Sequence, residues 1–210
     1  MKALLLKDFF LLQRMMRIVL ILAVLYVVLF LLTGATDALP FVLVIFAVSF
    51  PVSTFSYDEA DKWDRYTLSG PLHRRDIVRA KYVFALLLMA AALALSLLSM
   101  GAFSFFMPVR PLGEILIMLG LEICIGLLGI SILLPFIYKL GAEKGRQLMV
   151  AVLMIPVFAI VLYSKFASAG LKQFTESHLM YFPFVLATMA VAGDYLSYRI
   201  SLKIYLKKDF

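Results

Sequence analysis

Cysteine occurs once in 210 residues, at Cys124. No disulfide can close within the chain, and the residue sits in an apolar run that suits packing rather than redox chemistry. Histidine occurs twice, at His73 and His178. No Cys/His/acid cluster has metal-ligand spacing, so no metal site is expected, and no Ser/His/Asp arrangement is supported. A G-x-x-x-x-G-K-[ST] phosphate loop is also missing. The stretch Gly141-Ala142-Glu143-Lys144-Gly145-Arg146 lacks the Lys-Ser/Thr ending, follows no strand, and reads as a short connection. Internal repeats and low-complexity tracts are absent. Charge is scarce: 16% of residues, against about 25% in an ordinary soluble domain.

Apolar residues fill the difference. They make up 64% of the chain, and mean hydropathy is +1.00. A soluble fold of this length cannot bury so much apolar surface. A secreted domain, a disordered chain, a nucleic-acid module and a soluble enzyme are thereby excluded. An all-α, polytopic membrane protein is expected, because a span takes about 20 apolar residues and six spans use ~120. Six runs are visible, at about Ile18–Leu32, Leu39–Ser56, Tyr82–Phe106, Leu112–Tyr138, Leu148–Tyr163 and Leu179–Tyr198. They are too long for barrel strands, which alternate over ~10 residues. Thr33-Gly34-Ala35 resembles a cleavage site after the first run. The segment before that run is long and partly apolar, and another run follows directly, so a retained first span is expected.

The net charge of +7 has a topological cause. Lys2, Lys7, Arg14 and Arg17 precede the first run. Lys62, Arg65, Arg74, Arg75, Arg79 and Lys81 lie between the second and third. Lys139, Lys144 and Arg146 follow the fourth, and Arg199, Lys203, Lys207 and Lys208 follow the sixth. Seventeen of the 20 basic residues thus fall on one side, leaving Arg110, Lys165 and Lys172 on the other. The positive-inside rule puts both termini in the cytoplasm, and nucleic acid need not be invoked as a partner.

Two segments on that side have structure of their own. Residues 1–17 mix apolar and charged side chains, with Leu5, Phe9, Leu12 and Met16 on one helical face. An amphipathic helix lying at the lipid interface is expected, ahead of a transmembrane domain over 18–210. The connection Phe55–Tyr82 carries a loop at 57–81. Ser56 and Glu59 have capping-box spacing and predict a helix start; Ser69-Gly70-Pro71 predicts its end, with a second helix starting near Pro71. Acidic and basic residues are nearly balanced here, which disfavours a lipid-binding polybasic patch. Trp63 and Tyr66 then read either as anchors of a protein interface or as an aromatic belt in the headgroups.

The order Phe55, Asp58, Glu59, Trp63, Tyr66, Ser69, Pro71, Arg74, Arg75, Ile77, Val78, Lys81 and Tyr82, placed between the second and third of six runs, resembles the permeases of ABC-2 type transporters. In detail it is similar to the compact bacterial subfamily that includes peptide-toxin and antimicrobial-peptide exporters. Gly70 departs from that pattern, which has an apolar residue before the proline. The resemblance implies a coupling helix over Asp58–Thr67 that docks on a separate ATPase, with Trp63 and Tyr66 as anchors. Asp58 and Glu59 belong to the same docking element, and Arg74 and Arg75 are candidates for charge contacts with the ATPase. It further implies two permease chains with two ATPase chains, ATP and Mg bound by the partner alone, and a bacterial cytoplasmic membrane. This chain would itself carry no cofactor and no catalytic residue, and would export an amphipathic substrate.

Three acids fall inside the runs, where ionisable residues are costly and are functional candidates. Glu114 is near the outer end of the fourth run and Asp194 near the inner end of the sixth, within reach of Arg199. Glu122 lies ~15 Å into the fourth run, near the midplane. It reads either as part of a translocation path or as a structural group held within the bundle. Gly120, Gly126 and Gly129 around it permit close helix approach. Two alternatives stay open: a stand-alone secondary transporter or membrane-embedded enzyme centred on Glu122, and a non-transporting assembly subunit.

Overall fold

The structure, a computed structural model, describes residues 2–33, 39–68, 73–103, 111–152, 154 and 182–208. Six helices order the chain: α1 (Lys2–Thr33), α2 (Leu39–Ala60), α3 (Trp63–Leu68), α4 (Arg74–Phe103), α5 (Leu112–Leu140) and α6 (Phe182–Leu206). A further helical stretch covers 142–152, and no strand occurs among the described residues. Residues Pro40–Ala60, Arg74–Gly101 and Leu112–Leu140 are each long and apolar enough to cross a membrane. Most of the fifth expected span, the Ser69-Gly70-Pro71 turn and the stretch Ser164–His178 lie outside the described residues.

The core forms where α2, α4, α5 and α6 converge. Val44, Val48, Val52 and Phe55 of α2 meet Val78, Ala85 and Met89 of α4 and Ile130, Leu133, Leu134 and Ile137 of α5, with Tyr205 of α6 closing one end. Small residues set the spacing, as expected for helices that pack without a hydrophobic drive between them. A Cβ on Gly129 would come within 3.2 Å of the Val48 side chain, so the α5 backbone there already packs against a side chain of α2. Hydroxyls add polar links: Tyr82 of α4 shares hydrogen bonds with Ser197 at 2.7 Å and Ser201 at 2.8 Å on α6.

Proline does not break α2. Pro51 lies inside it, and side chains nearby take up carbonyls: Ser49 donates to Ile45 at 2.6 Å, Thr54 to Pro51 at 2.8 Å and Ser56 to Val52 at 3.2 Å. These hydroxyls thereby satisfy their own hydrogen-bonding need within the helix.

Several expectations about the connecting segments change. Residues 2–17 continue directly into the first apolar run as one helix, α1, without a break. Its inward face is Leu4, Asp8 and Leu12, whereas Phe9 is 60% exposed. A buried carboxylate needs partners, and Asp8 finds them on the inside; Leu12, expected on the same lipid-facing side as Phe9, is buried with it. The Ser56–Glu59 pair does not open a helix. α2 continues through it to Ala60, Ser56 back-bonds within the helix, and Glu59 reaches a different segment. The break comes at Asp61-Lys62, where Lys62 takes a left-handed backbone with φ 50°. The predicted coupling helix is therefore the last turn of α2, a sharp bend and the short α3. The next helix begins at Arg74 rather than near Pro71, with the His73 carbonyl accepting from the Asp76 N–H at 2.9 Å.

The Gly129 contact gives a direct test. Gly129→Leu should cost about 1–3 kcal/mol through overpacking against Val48, read as a lower melting temperature in detergent. Gly113→Ala, where an added Cβ meets nothing within 4 Å, should leave it unchanged.

Candidate functional site

The four segments that the basic flanks assign to one side meet at one end of the bundle. They are the start of α1, the α2–α3–α4 connection, the start of the 142–152 stretch and the end of α6. Each joint is made by a named polar side chain.

The first joint is a buried group of two lysines and two aspartates. Lys81 of α4 contacts Asp8 of α1 at 2.9 Å and Asp58 of α2 at 2.7 Å, and donates to Thr54 of α2 at 3.1 Å. Its three ammonium hydrogens are thereby engaged. Lys7 bridges Asp8 at 3.2 Å and pairs with Asp58. Asp8 and Lys81 are both buried. Charges taken from water in this way are tolerated only when fully paired, and here two positive groups face two negative ones. The lysines also cover rings: Lys7 lies 4.7 Å from the centre of Trp63, and Lys81 lies 4.9 Å from that of Phe55. α3 is thereby fastened to α1 by a cation–π contact.

Glu59 makes the second joint. Its Oε1 accepts the Ala142 N–H at 2.9 Å, one of the unpaired donors at the head of the 142–152 helix, where a carboxylate suits the helix dipole. Gly141 leads into that helix with φ 89° and ψ 168°, a region open essentially to glycine alone. A Cβ there would also stand 3.2 Å from Glu59 Oε1. Arg146, one turn on, donates to Ser56 at 3.1 Å.

The third joint holds the end of α6. Tyr205, buried, donates to Asp64 Oδ1 of α3 at 2.8 Å. Burial, and then the Asp64 carboxylate, hold its hydroxyl well above the ordinary phenol range, so it remains a donor. Arg74 Nη1, at the start of α4, donates to the carbonyls of Leu206 at 2.8 Å, Lys208 at 3.0 Å and Tyr205 at 3.3 Å. A guanidinium on the last carbonyls of a helix satisfies orphaned acceptors and complements the dipole.

The residues singled out from sequence thus divide. Asp58, Glu59 and Arg74 are internal fasteners. Trp63 is half-buried, its ring 5.6 Å from that of Tyr66. Tyr66 is 72% exposed, and Arg75 is exposed beside it in the same connection. Glu114, Glu122 and Asp194 lie away from this end. Glu114 is exposed in the first turn of α5. Glu122 is fully buried, and one carboxyl oxygen accepts from Ser96 of α4 at 2.6 Å. The other meets no partner among the described residues. Glu122 thereby joins α4 to α5. Asp194 does not pair with Arg199, which reaches the Tyr195 hydroxyl at 3.3 Å instead. Sequence reasoning gave no role to Lys7, Asp8, Lys81, Asp64 or Tyr205. Asp8 beside Lys7 in an apolar segment was the available signal, but the distant partners of the pair lie 51 positions away for Lys7 and 73 for Asp8. Among the described residues no group of His, Cys, Asp or Glu is arranged to hold a metal ion.

Two substitutions separate the joints. Lys81→Met leaves Asp8 and Asp58 with one lysine between them and should cost about 3–5 kcal/mol; adding Asp8→Asn should recover part of this, measured by thermal melting. Gly141→Ala should cost about 1–3 kcal/mol for the backbone region alone and displace Glu59, seen as faster hydrogen exchange at Ala142.

Comparison with known proteins agrees with this architecture. Neither a curated protein nor a solved structure gives a significant match. A family model described as ABC-2 family transporter protein matches residues 3–206, nearly the whole chain. The chain therefore belongs to the ABC-2 family of transporter membrane proteins, the permease subunits of ABC transporters.

Proposed function

We propose that this permease is the membrane half of an ATP-driven exporter and that α3, with the bend before it, is where a separate ATPase subunit docks. The observation that carries the reading is the contrast within one short helix. α3 is tied to its own chain through Trp63 and Asp64, while Tyr66 projects outward. A partner that pushed on Tyr66 and Arg75 would act on an element fastened to α1, α2 and α6 at once. Exposed aromatic and arginine side chains are the types that anchor protein interfaces. The belt reading of Trp63 is less well supported, because its ring is covered by Lys7.

Two copies of each subunit, ATP and Mg held by the ATPase, both termini in the cytoplasm and a bacterial cytoplasmic membrane complete the proposal. Export, and an amphipathic peptide, toxin or antibiotic as cargo, rest on the likeness of the Phe55–Tyr82 motif. The 17-to-3 division of basic residues supports the orientation.

The test is purification of the tagged chain from its native membrane in mild detergent. A soluble ATPase should accompany it in near-equal amount. Tyr66→Ala with Arg75→Glu should reduce the recovered ATPase at least tenfold, about 1.4 kcal/mol or more, with the melting temperature of the permease unchanged. Full recovery of the ATPase with both substitutions would remove α3 as the docking site.

A further inference from the structure

Below the buried lysines, a cavity of about 20 Å³ opens where α2, α3, α4, α5 and the end of α6 converge. Its polar lining is Asp58, Glu59, Asp64, Lys81, Tyr138 and Lys208. The lining includes a group whose hydrogen bonding is unfinished. Tyr138 of α5 is only 4% exposed, and its hydroxyl meets no hydrogen-bond partner among the described residues. Its ring is well placed, edge-on to Phe55 at 5.0 Å and to Tyr205 at 5.4 Å. A buried hydroxyl without a partner is costly and is rare in native proteins.

We infer that this cavity is a binding site for one ordered water molecule, which accepts the Tyr138 proton and donates to the surrounding carboxylates. Size admits a single water, since such a site needs roughly 10–15 Å³ or more and two to four polar partners. The partners are at hand. Asp64 uses Oδ1 on Tyr205 and Glu59 uses Oε1 on Ala142, and each carboxylate has further acceptor capacity. Lys81 has its three hydrogens engaged elsewhere, so the donors in the lining are the unpartnered Tyr138 hydroxyl and the Lys208 ammonium. Lys81 and Lys208 in the lining disfavour a metal cation, although Asp8, Asp58, Glu59 and Asp64 outnumber Lys7, Lys81 and Lys208 by one formal charge. The water would link the docking helix, through Asp64, to the long span α5, through Tyr138. The inference stands on the cavity and the hydroxyl and does not depend on the transporter's cargo or its ATPase.

Tyr138→Phe in the full chain keeps the ring and its two aromatic contacts and removes only the hydroxyl. A bound water predicts a melting temperature lower by about 2–4 °C; an unchanged or higher value means the hydroxyl had no partner and overturns the site. Melting of the wild type in NaCl, KCl and choline chloride at one ionic strength should give a single temperature. A rise specific to sodium or potassium would put a cation there and overturn it equally. Independently of any variant, a high-resolution map of the wild type in a lipid nanodisc should show a density peak within hydrogen-bond distance of Tyr138 Oη and one carboxylate. A featureless cavity would refute the assignment.

Discussion

Neutralisation of two aspartates by two lysines, away from water, is the constraint on which the arrangement of this bundle end rests. Lys7, Asp8, Asp58 and Lys81 come from three helices that are far apart in sequence. None of the four is tolerable there alone, because an unpaired buried charge costs several kcal/mol. The inward face of α1, the register of α4 against α2 and the position of the bend at Lys62 all follow from keeping the four together. Apolar packing holds the helices side by side, but it tolerates sliding and rotation; the charge group does not.

Around this group the connection between α2 and α4 behaves as a junction rather than a loop. Asp58 faces α1 and α4, Glu59 caps the helix after α5, Asp64 binds α6, and Arg74 closes on the α6 terminus. These four polar residues of the segment are each directed to a different set of partners. Force applied at α3 would therefore be shared among all of them. That is a property useful to a subunit whose energy source is a separate protein.

The general class of the molecule was legible from composition, because no soluble fold accommodates 64% apolar residues. The ends that meet were legible too: runs of basic residues marked the same four segments that the joints bring together. The family was readable from the spacing of Asp58, Glu59, Trp63, Tyr66, Arg75 and Lys81, and the match over residues 3–206 agrees. Detail within the loop was not. Ser56 and Glu59 have the spacing of a capping box, yet Glu59 is held by Ala142, a partner that local pattern cannot see. Apolar periodicity grouped Phe9 and Leu12 on one lipid-facing side of α1, yet Leu12 is buried beside Asp8 while Phe9 is exposed. Arg74 looked like a surface charge because its acceptors are backbone carbonyls, which carry no sequence signature. In each case the deciding energy is a long-range polar contact, whereas sequence periodicity reports local burial.

The grip of Arg74 on the end of α6 has an evolutionary consequence. Main-chain carbonyls are offered by every residue, so the clamp is blind to which side chains follow Tyr205. Leu206, Lys207 and Lys208 can drift in identity among descendants of this protein without loosening it, provided the chain keeps its length and course. Arg74 has less freedom: one of its guanidinium nitrogens gathers all three carbonyls, so a replacement must place a donor at that same point. Variation is thus expected to be lopsided, free on the side that is held and restricted at the residue that holds it.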